Sequence, residues 1–119
     1  YKYACDSWAV GMFILWVLCE GSIPFTGKNA EEFLISMSRI YGSEELVRLM
    51  NDYNLHPSDV DASKFSAERK VSFEEMFSPR MKELATDDVV SMMKGFLIVD
   101  PEKRLTVDAA LKSKMFRRI

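Results

Sequence analysis

The run WAVGMFILWVLC, Trp8–Cys19, is the longest unbroken apolar stretch of the chain, at 12 residues when glycine is counted. A bilayer span needs roughly 20 residues, so the run reads as a buried helix and not as a membrane span. A helix that is apolar on every side belongs in the centre of a fold. Asp6 stands ahead of the run as a capping residue, and Glu20-Gly21 closes it, because glycine readily takes the conformation that ends helices. The helix is therefore expected over about 6–20. A signal-peptide core is the other reading of such a run. Against it, the early charges are one Lys and one Asp, and no small-x-small cleavage site follows. The chain does not open with Met, which points to residue 1 lying inside a longer native product.

The run has little around it. At 119 residues and 48% apolar, the chain amounts to about one domain with a modest core. It carries 16 Lys+Arg against 18 Asp+Glu, a net charge of −2. Residues 1–60 hold 4 basic and 8 acidic side chains, and residues 61–119 hold 12 and 10. That balance gives no support for a nucleic-acid partner or a membrane-surface helix. Cys5 and Cys19 form neither a disulfide framework nor a zinc or CxxC pair, and free thiols suit a reducing compartment, cytoplasmic or nuclear. One histidine, His56, argues against a histidine-based metal site.

The rest of the chain reads as helices and loops. SIPFTG is a loop punctuated by Pro24 and Gly27. Asn29 opens a second helix, with Glu32 completing a capping box. Ala30, Phe33, Leu34, Met37, Ile40 and Tyr41 make one helical face, and Gly42 stops it. Ser43-Glu44-Glu45 starts a third helix, its acidic residues at the favourable end of the dipole. NLHPSDVDASKFSAERK, residues 54–70, has no period over 17 residues, and loops that long are usually functional. Ser72 and Glu75 form another capping box for a short helix that Pro79 ends. Thr86-Asp87-Asp88 starts a stronger helix with an apolar stripe of Val89, Val90, Met93, Phe96 and Leu97, broken at Asp100-Pro101. Thr106 caps the last helix, VDAALKS, with KMFRRI expected either to extend it or to fray. The expected class is all-α, with five to seven helices around one all-apolar central helix.

The order of these signals is specific. YKYACDSWAVG carries a D-x-W-[AS]-x-G pattern. IPF, an amphipathic helix, a long insert and DPEKRLT follow. Together they resemble the C-terminal part of the large, helical lobe of a eukaryotic Ser/Thr protein kinase catalytic domain. The nearer resemblance is to the casein kinase 2 catalytic alpha branch, in the CMGC group that also holds cyclin-dependent and mitogen-activated kinases. Y-x-Y-x-x-D-x-W, PF followed by Gly and Asn, Gly42, Tyr53-Asn54, the basic pair Arg69-Lys70 and R-L-T carry it. It covers essentially the whole chain: a pillar helix at about 6–20, a groove-flanking helix at about 29–41, an insert at about 43–80 and the last helices at about 86–117.

The resemblance assigns four anchors. The residue matching Asp6 accepts backbone N–H bonds from the catalytic loop, and Trp8 and Gly11 let neighbouring segments pack closely. The Arg matching Arg104 forms a buried ion pair with a Glu that would lie before Tyr1. A guanidinium at this position calls for a carboxylate or carbonyls as partners; the resemblance makes Arg104 half of a pair, with Asp100 or Glu102 as local substitutes where the site opens to water. Breaking such a pair typically costs roughly 3–5 kcal/mol, and on this reading Arg104→Leu is expected to be neutral or stabilising. Three positions depart from the family pattern: Ala109 replaces a capping Glu, and Ser113-Lys114 replaces His-Pro.

Phosphoryl transfer in a kinase needs a Gly-rich loop, a strand Lys, a catalytic-loop Asp with its Asn, and a metal-binding Asp-Phe-Gly. The five glycines, at 11, 21, 27, 42 and 95, form no such loop, and no H-R-D or D-F-G occurs. The expected catalytic, cofactor and metal residues in this chain are none. ATP and Mg²⁺ belong to a longer parent, and the isolated chain is expected to be inactive. Asp87-Asp88, Glu31-Glu32 and Glu44-Glu45 read as helix-start charges rather than metal or acid/base pairs. Met12, Met37, Met50, Met76, Met81, Met92, Met93 and Met115 read as core filling, KSKMFRR as a solvated helix end, and Cys5 as unreactive.

The expected role is that of scaffold and docking surface, with the missing kinase N-lobe and catalytic segment as partner in a longer chain. A truncated binding module is the alternative, docking a protein through 54–70 and 29–41. A third reading is a fragment that does not fold stably alone.

Overall fold

In the computed structural model of the chain, the apolar run forms the inner part of a longer helix, α1 (Lys2–Leu18). The structure describes residues 2–22, 25–56 and 58–113, with the side chains of residues 2–5 outside that description. Asp6 therefore does not begin the helix: it sits one turn inside α1, exposed on its surface. The end of α1 is close to the expected one but built differently. The Gly21 N–H reaches the Trp16 carbonyl at 2.9 Å and the Glu20 N–H reaches Val17 at 3.0 Å, a Schellman closure. Glu20 takes the left-handed conformation, with φ 50°, and Gly21 follows with φ 92°.

Among the described residues six further helices follow: α2 (Ala30–Tyr41), α3 (Ser43–Asp52), α4 (Phe73–Met76), α5 (Pro79–Leu84), α6 (Asp87–Phe96) and α7 (Val107–Leu111). A 3-10 turn, Ala62–Lys64, lies in the insert. Among the described residues there is no strand, and the architecture is all-helical, as the kinase large lobe is. The chain divides into two compact units. One takes the chain up to Ser22 and again from Phe77, and the other lies between them in sequence.

In the first unit, α1 packs mainly on α6 and also meets α7. The covered face of α1 is Ser7, Gly11, Leu15 and Leu18, spaced as one helical stripe. Gly11 is what lets the helices close: a Cβ there would stand 2.7 Å from the Phe96 Cβ and 2.9 Å from the Leu97 side chain. Met92, Phe96 and Ala110 form a cluster against which Ile14 and Leu105 pack. The helix is not wrapped on all sides. Val10, Phe13, Trp16 and Val17 remain outside, with Phe13 64% and Trp16 47% exposed and their rings stacked at 6.3 Å.

Ser78 and Pro79 change the reading of that stretch. Pro79 does not only end a helix; it opens α5 from its first turn, where its missing N–H costs nothing. The Ser78 hydroxyl accepts from the Met81 N–H at 3.2 Å, and its own N–H donates to the Leu18 carbonyl at 3.1 Å. The following helix, α6, stops at Phe96, before Asp100-Pro101, and residues 97–103 form a turn. Thr106 caps α7 by accepting from Ala109 N–H at 3.0 Å, and α7 ends at Leu111. The stretch of KSKMFRR from Lys114 on, including Met115, lies outside the described residues, as do Pro24 and Pro57.

The second unit is organised by α2. Asn29 caps it, accepting from Glu32 N–H at 2.9 Å, while Glu32 reaches back to the Lys28 N–H at 2.8 Å. Met37 and Ile40 are buried, and Phe33 is partly exposed. Phe25 centres an aromatic cluster, within 6.1–6.2 Å of Phe33, Tyr41 and Phe73. Ser38, a polar residue on the covered face, is fully buried. Its hydroxyl donates to the Ile35 carbonyl at 2.7 Å and accepts from the Ser66 N–H at 2.8 Å. The insert thus docks on α2 at a specific point and is not free loop throughout.

Candidate functional site

Three of the four anchors come together in the first unit. The turn after α6 brings Arg104 to α1, where its guanidinium carbon lies 5.0 Å from the centre of the Trp8 ring. That distance is within cation–π range. The Arg104 Nε donates to the Ile98 carbonyl and its Nη2 to the Val99 carbonyl, each at 2.8 Å. Three residues along α1 from Trp8, Gly11 admits Phe96 and Leu97. The arginine therefore clamps the turn that follows α6 to the helix against which α6 packs.

Within this chain two carbonyls and an aromatic face hold Arg104, and carbonyls are one of the two kinds of partner its sequence position calls for. Arginine suits such a place, since its planar fork matches two successive carbonyls and still stacks on a ring. The buried Asp100 carboxylate serves the turn, accepting from the Glu102 N–H at 3.0 Å, and the Asp100 carbonyl accepts from Lys103 N–H at 3.1 Å. Asp6 does not join the cluster.

Elsewhere among the described residues, chemistry-bearing side chains do not converge. Asp87 and Asp88 lie in the first turn of α6, behind the Thr86 cap, and Glu31-Glu32 and Glu44-Glu45 open α2 and α3. Among the described residues, no group of three or more His, Cys, Asp and Glu side chains is placed to hold a metal ion. Burial pushes the Cys19 thiol up, away from the reactive thiolate. No described helix is long and apolar enough to cross a membrane. Among the described residues the acidic pairs are helix starts, and no glycine-rich loop stands before a helix.

Each unit also carries a concave place. In the first, α6 and α7 border a pocket of about 360 Å³ lined by Asp88, Ser91, Gly95, Leu105 and Ser113. In the second, an open cleft of about 600 Å³ runs beside α2, with Thr26, Lys28, Ile35 and Arg39 along it. Also in the second unit, Tyr53 and Leu55 present apolar surface, at 44% and 59% exposure.

No family model matches the chain. Curated proteins do match it. A probable serine/threonine-protein kinase of Dictyostelium discoideum is 23% identical over 117 residues, covering 98% of this chain and 19% of its own length. Casein kinase II subunit alpha' of Saccharomyces cerevisiae is 28% identical over 118 residues, covering 98% of this chain and 34% of its own length. Mitogen-activated protein kinase 13 of Arabidopsis thaliana is 32% identical over 116 residues, covering 94% of this chain and 29% of its own length. The chain thus spans between 19% and 34% of the length of these relatives. Similarity to protein kinases over nearly its whole length, with the all-helical architecture, supports a kinase-derived domain.

Proposed function

We propose that this kinase-derived domain is the C-lobe portion of a casein kinase 2-like Ser/Thr protein kinase. In that reading α1 is the pillar of the lobe, α2 flanks the peptide groove, and the insert offers a docking surface. ATP, Mg²⁺ and the transferring residues act in sequence outside this chain. One observation carries the reading. The outer face of α1, with Val10, Phe13, Trp16 and Val17, is apolar and exposed, as expected of a pillar whose other cover belongs to a preceding segment. The buried free thiol of Cys19 suits the cytoplasm or the nucleus.

The reading is tested on the isolated chain and on the native protein. Mg-ATP is expected to leave the melting temperature of the isolated chain unchanged, and a shift of several degrees overturns the assignment of catalysis elsewhere. An immunoblot of source extracts against residues 54–70 is expected to show a band of full kinase size. A band at the size of this chain favours the second reading, a kinase-derived binding module. The second unit supports that alternative, since it has its own core and its own exposed Tyr53 and Leu55.

A further inference from the structure

The insert is attached to α2 in two ways that differ in kind. From Phe65 onward the attachment rests on two buried groups, Phe65 and Ser38, and on backbone hydrogen bonds, while residues 67–70 are exposed. Phe65 is itself buried, Ser66 N–H donates to the sequestered Ser38 hydroxyl, and the Ser66 carbonyl accepts from Ser43 N–H at 2.8 Å. Lys70 and Val71 N–H both donate to the Arg39 carbonyl, at 2.7 and 3.2 Å. Opening this part would bring the Phe65 ring into water and take the Ser66 N–H from the fully buried Ser38 hydroxyl, which is costly.

Residues 58–64 are attached otherwise. A single carboxylate receives them: Glu31 in the first turn of α2 accepts from the Asp61 N–H at 2.8 Å and from the Lys64 ammonium at 3.1 Å. Asp61 in turn folds the segment on itself, accepting from the Ser63 N–H at 3.0 Å and the Ser63 hydroxyl at 2.6 Å. Water can replace each of these bonds. The Lys64 side chain is 57% exposed, and of residues 58–64 only Val60 and Ala62 are half-buried. Exposed ion pairs are weak and screened by salt.

We infer that residues 58–64 form a strap that opens from α2 as a unit, hinged at Phe65 and latched by Glu31, while 65–71 stays docked. Opening bares the first turn of α2 and separates Glu31 from Lys64. The device is a charge-dependent latch in series with a buried anchor, so ionic strength governs one and not the other.

Amide hydrogen exchange of the full chain, resolved by residue, tests this. In Glu31→Ala the amides of Asp61, Ser63 and Lys64 are expected to exchange about fivefold faster or more, while those of Ser66 and Lys70 keep their rates. Raising salt from about 0.05 to 0.5 M should reproduce the pattern in the unaltered chain. Lys64→Met serves as a second, milder variant. If the amides of 61–64 and of 66–70 accelerate together, or if none responds to salt or to either substitution, the latch is refuted.

Discussion

At the residue scale, Arg104 is a tie between backbone and ring. Arg104→Leu removes the charged hydrogen bonds to the Ile98 and Val99 carbonyls and leaves those carbonyls to water. We expect it to destabilise the chain by about 2 kcal/mol, read from the urea midpoint, with Arg104→Lys falling between, because an ammonium lacks the planar fork. A neutral Arg104→Leu would show that the turn holds without it. Gly11→Ala is expected to cost about 1–3 kcal/mol by the same measurement, because its Cβ would meet the Phe96 Cβ, which cannot swing away. Caps such as Asn29, Ser72, Thr86 and Thr106 are legible in the sequence, since each acts on an N–H three residues on. The partners of Arg104 are not, because a sequence does not show which carbonyls a turn will aim, or that Trp8 will lie beside them.

At the element scale, the ends of helices differ in how well their residues suit them. Glu20 holds φ 50° at the end of α1, where glycine is preferred, and Asn54 holds φ 52° after α3, where asparagine is accepted. Glu20→Gly should therefore stabilise the chain, by about 0.5–1 kcal/mol in thermal or chemical denaturation, even though it gives up the exposed pair with Arg80. Arg80→Ala separates the two contributions. The strap adds a pH prediction. The Asp61 N–H and then Lys64 hold the Glu31 carboxyl below its usual value, the Ser63 hydroxyl and N–H do the same for Asp61, and Glu31 raises Lys64. The latch therefore contributes above the ordinary carboxylate range and below the ordinary lysine range. It is lost as pH falls through the lowered carboxylates or rises through the raised lysine. An NMR titration of side-chain carboxyl carbons should find Glu31 protonating below the ordinary glutamate range. Helix α5 is hard to see in the sequence because Pro79 reads first as a stop, although proline also suits a first turn. Ser38 is hidden for another reason: a pattern of apolar faces has no place for a buried hydroxyl.

At the scale of the whole molecule, each unit keeps its own small core and α1 keeps an exposed apolar face of Val10, Phe13, Trp16 and Val17. That this helix is apolar all round is plain from the sequence. Which face the chain itself covers is not, since that depends on where Gly11 allows α6 to approach. Replacing Phe13 and Trp16 with Lys should leave the unfolding midpoint within about 0.5 kcal/mol, because neither side chain lies in the core. The same change should reduce self-association measured by sedimentation, and unchanged association would place the contact elsewhere. The hydroxyl of Ser38 has a consequence of its own. It fixes where the chain re-enters the fold at Ser66, so residues ahead of that point are free to vary in number without displacing the segment from Phe65 to Phe73. Across relatives, insertions and deletions should gather between Leu55 and Asp61, while the spacing from Phe65 to Phe73 stays constant.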